Sequence, residues 1–219
     1  MRAVDIINSS FKKNCTLCPR LASHLQTQRL IYPEYFNLPV PAFGDPDAGL
    51  LIVGLAPGHH GANATGRPFT GDHAGILLYK TLFELGLCTK TESISADDNL
   101  RLLGCRITNA VKCLPPKNRP TTEEIRTCNP YLRHEISLLR SNGVIFALGG
   151  IAHAAVLRAY KAKLSEYKFI HGHVHSLPDS RVLVDSYHCS RYNTNTGRLT
   201  PSMLKSALEL AQSLTTQNL

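Results

Sequence analysis

Four cysteines have the residue type and spacing of a metal centre. Cys15 and Cys18 form a Cys-x-x-Cys pair near the N-terminus, and Cys113 and Cys128 follow in the middle of the chain. Four thiolates brought together can hold an iron–sulfur cluster or a structural zinc ion. Because the two pairs are far apart in sequence, either metal would join the N-terminal segment to the middle of the fold. We expect the metal to cross-link two parts of a larger domain that has its own hydrophobic core.

The bulk composition is that of a folded domain with a basic surface. The chain has 219 residues, of which 43% are hydrophobic, and this is enough for an ordinary buried core. We expect one domain over residues 1–219. Its 24 lysines and arginines against 16 aspartates and glutamates give a net charge of +8 at pH 7. Such an excess favours a polyanionic partner, and nucleic acid is one candidate.

The seven cysteines are expected to be reduced. The first residues lack the apolar run of a signal peptide, and no stretch approaches the roughly 20 apolar residues of a membrane helix. In a cytosolic chain, clustered cysteines more often bind metal than form disulfides. We therefore expect a cytoplasmic protein with no membrane segment.

Apolar strands alternate with helices after an N-terminal stretch of about 45 residues that contains several prolines and is predicted to be irregular. Four apolar runs are typical of strands covered on both faces. They are Leu50–Leu55, Arg106–Val111, Val144–Gly149 and Val182–Asp185. The alternation predicts an α/β, three-layer domain whose central, mostly parallel four-stranded sheet is flanked by helices.

Four helices are predicted around these strands. Thr121 and Glu124 fit a capping box, and Pro130 is expected to interrupt or restart the helix that follows. The predicted helices run from about 74 to 87, 122 to 141, 151 to 163 and 202 to 215.

Residues 54–72 follow the first strand, where the functional loops of a parallel sheet gather. This segment holds five glycines and two prolines, so its backbone has a defined shape that allows close approach of a ligand. Phe69 offers a flat apolar surface for stacking on a planar ring. A phosphate-binding loop is the alternative, but neither of the usual glycine spacings is present.

Asn109 ends the second strand at the same edge. Its amide can donate and accept, which suits the edge of a nucleic-acid base, although a turn or cap role is the simpler interpretation. Lys112 and Lys117 flank Cys113. They are candidates for phosphate contacts, with exposed, solvated lysines as the alternative.

Histidines occur in two segments that predict different roles. His188 directly follows the fourth strand, so its ring is expected to project into the crevice. His171, His173 and His175 alternate along one extended segment, which puts them on one face. They could ligate a metal, but no acidic residue adjoins them in sequence, and we expect a surface or edge strand.

Together the segments resemble the uracil-DNA glycosylases of family 5, the type-B members of the iron–sulfur branch of that superfamily. The resemblance extends from Cys15 to Thr200. Besides the four cysteines, it is carried by Gly54-Leu-Ala-Pro-Gly58, Gly66-Arg-Pro-Phe-Thr-Gly-Asp72, Asn109-Ala-Val-Lys-Cys-Leu-Pro-Pro-Lys-Asn118, Ser186-Tyr-His188 and Asn195-Thr-Gly-Arg-Leu-Thr200.

This resemblance implies a DNA-repair enzyme that flips uracil or another deaminated base out of DNA and hydrolyses the N-glycosidic bond. Leu55 stands where family 4 has an acidic residue, and this favours family 5. A family 4-like enzyme confined to uracil is the alternative. A non-catalytic iron–sulfur DNA-binding protein is another. The implied partner is DNA containing uracil or other deaminated bases, possible substrates include hypoxanthine, and the chain is expected to be a monomer.

The resemblance also implies roles for individual residues. Phe69 would stack on the flipped base, Asn109 would hydrogen-bond its edge, and His188 would donate toward the O2 atom on which negative charge develops. The backbone near Ala56 and Gly58 would add contacts.

The attacking water needs little activation if the sugar is already cationic in character. Asp72 is the candidate for orienting that water or stabilising the cation, with Asn63 as second choice. A helix N-cap is the alternative role for Asp72.

Cys15, Cys18, Cys113 and Cys128 match the family's ligands for a [4Fe-4S] cluster. We expect the cluster to be structural, and zinc remains the rival metal.

Overall fold

A six-stranded sheet lies at the centre of the computed structural model, which describes residues 11–216. The N-terminal residues, in which no signal peptide is expected, lie outside the described residues. The strands are β1 Phe43–Gly44, β2 Leu50–Gly54, β3 Cys105–Asn109, β4 Val144–Leu148, β5 Val174–Ser176 and β6 Val182–Ser186. Their order in the sheet is β1-β3-β2-β4-β6-β5. The four central strands are parallel, and each edge strand pairs antiparallel with its neighbour.

The predicted four strands are therefore the centre of the sheet, and the prediction of only four is wrong. The two additional strands, β1 and β5, lie at the edges and are two and three residues long. Strands this short show no alternation of apolar and polar residues, because the period of two needs several residues to become visible.

The apolar strands are covered on both faces, as predicted. In β2, Leu51 and Val53 belong to one core cluster, while Leu50 and Ile52 belong to the other. Successive side chains of a strand point to opposite faces, so a continuous apolar run supplies both layers.

Seven α-helices are described. They are α1 Pro19–Ile31, α2 Ala62–Thr65, α3 His73–Glu84, α4 Thr122–Leu138, α5 Gly150–Ala159, α6 Arg191–Asn195 and α7 Pro201–Thr216. Helices α1, α4 and α5 contribute to the core on one face of the sheet, and α3 and α7 contribute to the core on the other. The structure thus has the predicted three layers. No helix within residues 11–216 has both the length and the apolar character needed to cross a membrane.

Helix α1 corrects the prediction that the N-terminal stretch is irregular. Its buried residues are Leu21, Leu25 and Gln28, which lie on one face. Because one of the three is polar, the apolar stripe consists of two leucines and gives little periodic signal.

Helix α4 also departs from the prediction at its proline. The capping box of Thr121 and Glu124 is present, but the helix continues through Pro130 to Leu138. Proline removes one helical hydrogen bond. Helix α4 nevertheless packs against α5, and next to the proline the Asn129 amide donates to the Ala155 carbonyl at 2.8 Å.

Candidate active site

A cavity of about 380 Å³ opens at the carboxyl ends of the central strands. Parallel sheets bind ligands at this edge, because the strand ends and their following loops converge there. The cavity is lined by six of the residues predicted for the site: Ala56, Gly58, Phe69, Asp72, Asn109 and His188.

Gly54 ends β2 and allows two of these side chains to meet. A side-chain carbon on Gly54 would stand 2.4 Å from the Asn109 amide oxygen and 2.6 Å from the Phe69 ring. Both distances are far below van der Waals contact, so only glycine fits. Phe69 itself has a φ of 55°, in the left-handed region that non-glycine residues rarely adopt. The backbone is thus held in a strained conformation that presents the ring to the cavity.

Asn109 presents an unpaired amide oxygen. The residue is 3% exposed and its backbone lies in register with Gly54. Its side-chain oxygen has no hydrogen-bond partner in the protein. Buried polar atoms are nearly always paired, so this oxygen is placed to meet a ligand.

His188 faces Phe69 from the loop after β6. The two ring centres are 6.0 Å apart with an angle of 31° between the planes. The Asn193 amide donates to the His188 carbonyl at 2.8 Å and holds the loop. Burial lowers the pKa of His188 from 6.5 to about 4, because removal from water disfavours the charged ring. At neutral pH the site therefore contains a neutral imidazole, which has one N–H donor.

Asp72 is placed both to cap a helix and to face the cavity. It is the N-cap of α3, where its Oδ1 accepts from the Gly75 N–H at 2.9 Å. It also lines the cavity, with its other oxygen against Gly58 and Gly61. Burial raises the pKa of Asp72, and the hydrogen bond from Gly75 opposes this rise.

Asn63 is not brought to the cavity lining. It is buried, and its amide donates to the Asn37 side-chain oxygen at 2.8 Å. The contact ties the glycine-rich segment to the residues that follow α1. This hydrogen bond gives Asn63 a structural role, while its own side-chain oxygen, like that of Asn109, is buried without a hydrogen-bond partner in the protein.

Comparison with known proteins agrees with this arrangement. Residues 41–212 match the model of the uracil DNA glycosylase superfamily. A type-5 uracil-DNA glycosylase of Thermus thermophilus is 48% identical over 205 residues, which cover 91% of this chain and 93% of the relative. One from Pyrobaculum aerophilum is 46% identical over 202 residues, covering 90% and 88%. The chain belongs to the uracil-DNA glycosylase superfamily.

Its type within the superfamily follows from the same comparison. A type-4 uracil-DNA glycosylase of Pyrobaculum aerophilum is 38% identical over 146 residues, covering 66% of this chain and 60% of the relative. The type-5 relatives match at higher identity and over more of the chain. The family 5 resemblance is confirmed, and the chain is a DNA-repair enzyme of the uracil-DNA glycosylase kind.

The cysteines of this uracil-DNA glycosylase gather from three parts of the fold. Cys15 and Cys18 precede α1, Cys113 follows β3, and Cys128 lies within α4. Burial raises the pKa of Cys18 to about 11 and that of Cys128 to about 12, and in both cases the nearby thiols add to the rise.

Two donors point at the cysteine sulfurs. The Tyr131 hydroxyl donates to Cys15 Sγ and the Lys112 N–H donates to Cys128 Sγ, each at 3.4 Å. Such contacts are typical of the surroundings of metal thiolates.

The four cysteines are close enough to act on one another. Burial raises the pKa of Cys113, and the charges of Cys128, Cys15 and Cys18 add to that rise. Four thiols brought together suit an iron–sulfur cluster or a zinc ion, and this donor set fits either metal.

Sequence reasoning missed some residues of the glycosylase site. Asn118 and Ser190 line the cavity and were not singled out. Asn118 has a φ of 55°, a conformation that asparagine tolerates better than most residues. Its position at the end of the Pro-Pro-Lys-Asn segment was the available signal.

Both roles predicted for Lys112 are wrong. It is 1% exposed, so it is neither a phosphate contact nor a solvated lysine. Its ammonium group lies 2.7 Å from the Glu135 carboxylate and donates to the Thr108 hydroxyl. Helix α4, which carries Glu135, covers this face of the sheet.

Proposed function

We propose that this chain flips a uracil nucleotide into the cavity and hydrolyses its N-glycosidic bond, leaving an abasic site. The observation that carries the proposal is the convergence of three groups on one cavity: the Phe69 ring, the unpaired Asn109 oxygen and the neutral His188 ring. Flipping is required because the reacting bond is inaccessible within a duplex.

Each of the three groups has a distinct task in recognition and bond cleavage. Phe69 stacks on the flipped base, and the Asn109 amide pairs with its edge. His188 donates its N–H toward O2, where negative charge develops as the bond breaks. A fixed donor aimed at developing charge stabilises the transition state more than the ground state. Backbone N–H groups near Ala56 and Gly58 supply further contacts to the base.

Asp72 acts on the sugar side of the bond. Its carboxylate lines the cavity while one oxygen remains in the helix cap. The negative charge stabilises the cationic sugar and orients the attacking water. No lysine is among the residues that line the cavity within the described chain. We therefore propose hydrolysis without a covalent amine intermediate and without strand cleavage.

A gel assay on end-labelled DNA tests the proposed function. Duplexes containing one uracil, one hypoxanthine or neither are incubated with the protein and treated with or without alkali. We expect cleavage at uracil only after alkali, because the product is an abasic site. Cleavage at hypoxanthine would indicate the broader substrate range. No abasic product from uracil would refute the proposal, and cleavage without alkali would refute the monofunctional mechanism.

The metal bound by the four cysteines can be identified by its colour and iron content. We propose that the four cysteines hold a [4Fe-4S] cluster, which supports the loop after β3 and takes no part in the chemical steps. Purified protein is expected to be brown and to contain about four iron atoms per chain. Cys113→Ser should lose iron and colour, whereas Cys88→Ser, a matched change of a buried cysteine outside the group, should retain both. Stoichiometric zinc without iron would contradict this prediction.

Salt should weaken DNA binding. The net charge of +8 favours phosphate contacts, which release counterions from DNA. We expect the affinity for uracil-containing DNA to fall by more than about tenfold between 50 and 200 mM salt. Fluorescence anisotropy with the Asp72→Asn variant, whose excision is expected to be slow, measures this affinity with little turnover. A flat salt dependence would count against phosphate contacts as the main source of affinity.

The pH profile of excision should lack the step near pH 6.5 that an ordinary histidine would give. Protonation of His188 occurs as the pH falls through about 4, so excision should show no step near the ordinary histidine pKa of 6.5. Asp72 has a raised pKa and loses its charge as the pH falls through that value. Single-turnover rates should therefore decline on the acid side. A step near pH 6.5 at saturating enzyme would contradict the neutral-histidine account.

The chain is further proposed to act as a monomer in the cytoplasm. None of the seven cysteines, all of which lie within residues 11–216, forms a disulfide in the structure, and this suits a reducing compartment. Light scattering of the purified protein tests the oligomeric state.

A further inference from the structure

A second group of buried side chains lies outside the cavity and takes no part in the proposed reaction. His153 on α5, His175 on β5 and Asp185 on β6 are 3%, 7% and 0% exposed. His153 Nδ1 is 2.8 Å from one Asp185 oxygen, and His175 Nε2 is 2.9 Å from the other. This histidine–aspartate cluster joins three elements, and it supplies the acidic partner that is missing beside His175 in the sequence.

A neutral His153 ring has too few hydrogen atoms for its two contacts, because each ring nitrogen faces an oxygen that accepts a hydrogen bond. Its Nε2 lies 3.0 Å from the Tyr167 carbonyl, which can only accept, so Nε2 carries the hydrogen. A neutral imidazole has one N–H, and Nδ1 therefore directs a lone pair at the Asp185 carboxylate. Two electron-rich atoms this close in a buried site require a positive centre between them, either a second ring proton or a metal ion.

The geometry also fits a metal ion. The two ring nitrogens and a carboxylate oxygen lie within 4.8 Å of one another, and two imidazoles with one carboxylate are a common ligand set for zinc and related ions. The contact of His153 with Tyr167 is the outer hydrogen bond that metal-binding histidines usually make. A second ring proton on His153 would complete the same hydrogen bonds, because a neutral His175 can donate its own Nε2–H to Asp185, and the metal titration below distinguishes the two states.

We infer that His153 Nδ1, His175 Nε2 and Asp185 bind one divalent transition-metal ion of the zinc class. Ligand atoms around tetrahedral zinc are roughly 3.3 Å apart, so the cluster has to open by about 0.5 Å to admit the ion. His173 is exposed, and its ring centre is 4.5 Å from that of His175, so it lies beside the site on its solvent side. The bound ion would fasten α5 and the edge strand β5 to β6, the strand that leads to His188.

Metal titration of the holoprotein tests the inference. Protein with its cysteine site loaded is treated with a mild chelator, and Zn²⁺ binding is then followed by calorimetry while iron content is monitored. We expect one equivalent of Zn²⁺ beyond the cysteine-bound metal. Binding should raise the melting temperature, because the ion binds the folded state preferentially. Co²⁺ in its place should give a spectrum of nitrogen and oxygen ligands without sulfur charge-transfer bands.

Matched variants locate the ion. His153→Gln and His175→Gln should each lose the additional equivalent, and His134→Gln on α4 should retain it. If a variant of the histidine–aspartate cluster fails to fold, the titration of the wild-type protein still tests whether the additional ion binds. The inference is overturned if wild-type protein takes up no additional ion, if the Co²⁺ spectrum shows thiolate ligands, or if both cluster variants bind as wild type does.

Discussion

Replacement of His188 by alanine is expected to lower the rate of uracil excision by about 10²–10³-fold, the usual effect of removing one donor from a developing negative charge. The ring is placed opposite Phe69, with its centre 6.0 Å from that of the phenylalanine. Because it is held neutral by burial, its contribution is a hydrogen bond rather than a full positive charge. The measurement is the single-turnover rate on a uracil-containing duplex at saturating enzyme.

The loss should appear in the chemical step and not in binding. Affinity for uracil-containing DNA is expected to change by only a few fold, since phosphate contacts supply most of it. His134→Ala, a histidine on α4 away from the cavity, serves as the control and should retain the wild-type rate. A His188→Ala protein with wild-type excision would remove His188 from the mechanism.

Asp72→Asn is expected to reduce excision by about 10²–10⁴-fold, the range associated with a positioned acid–base group. The substitution is informative because asparagine caps helices about as well as aspartate. Its side-chain oxygen can still accept from the Gly75 N–H, so α3 should keep its first turn. What is lost is the negative charge beside the sugar and the attacking water. Excision rates and thermal melting of the same preparation check the prediction.

A second substitution of Asp72 distinguishes its effect on stability as a helix cap from its effect on excision as a charge. Asp72→Ala removes both and should lower the free energy of unfolding by about 0.5–2 kcal/mol, whereas Asp72→Asn should melt close to the wild type. Equal loss of stability in both variants, or full activity of Asp72→Asn, would leave Asp72 with only its structural role.

The central strands and the main cavity residues could be predicted because they follow from local sequence. Apolar runs such as Leu50–Gly54 are buried on both faces, and parallel strands end at one edge. Residues at the ends of those strands or just after them, including Asn109 and His188, therefore meet at the cavity. Phe69 was recognisable from the glycine-rich segment that carries it.

Features that depend on distant partners could not be predicted. Lys112 looks like a surface lysine until α4 brings Glu135 to it. His175 lacks an acidic neighbour in sequence, and only the antiparallel pairing of β5 with β6 supplies Asp185. The edge strand β1 is specified by its pairing with β3 and not by its own two residues.

Asn63 shows the same limitation at the site itself. Its residue type suits water activation, and its segment borders the cavity. The direction of its amide is set by Asn37, which follows α1. That helix was the element with the weakest apolar pattern, so the sequence offered no reason to turn Asn63 away from the cavity.

The most direct test of the account is a crystal structure of Asp72→Asn bound to a duplex that contains one uracil. We predict an extrahelical uracil in the cavity, with its ring stacked on Phe69. Its edge should lie about 3 Å from the Asn109 amide, and its O2 should lie a similar distance from a His188 ring nitrogen. A uracil that remains stacked in the duplex, or one bound away from these three side chains, would contradict the proposed site.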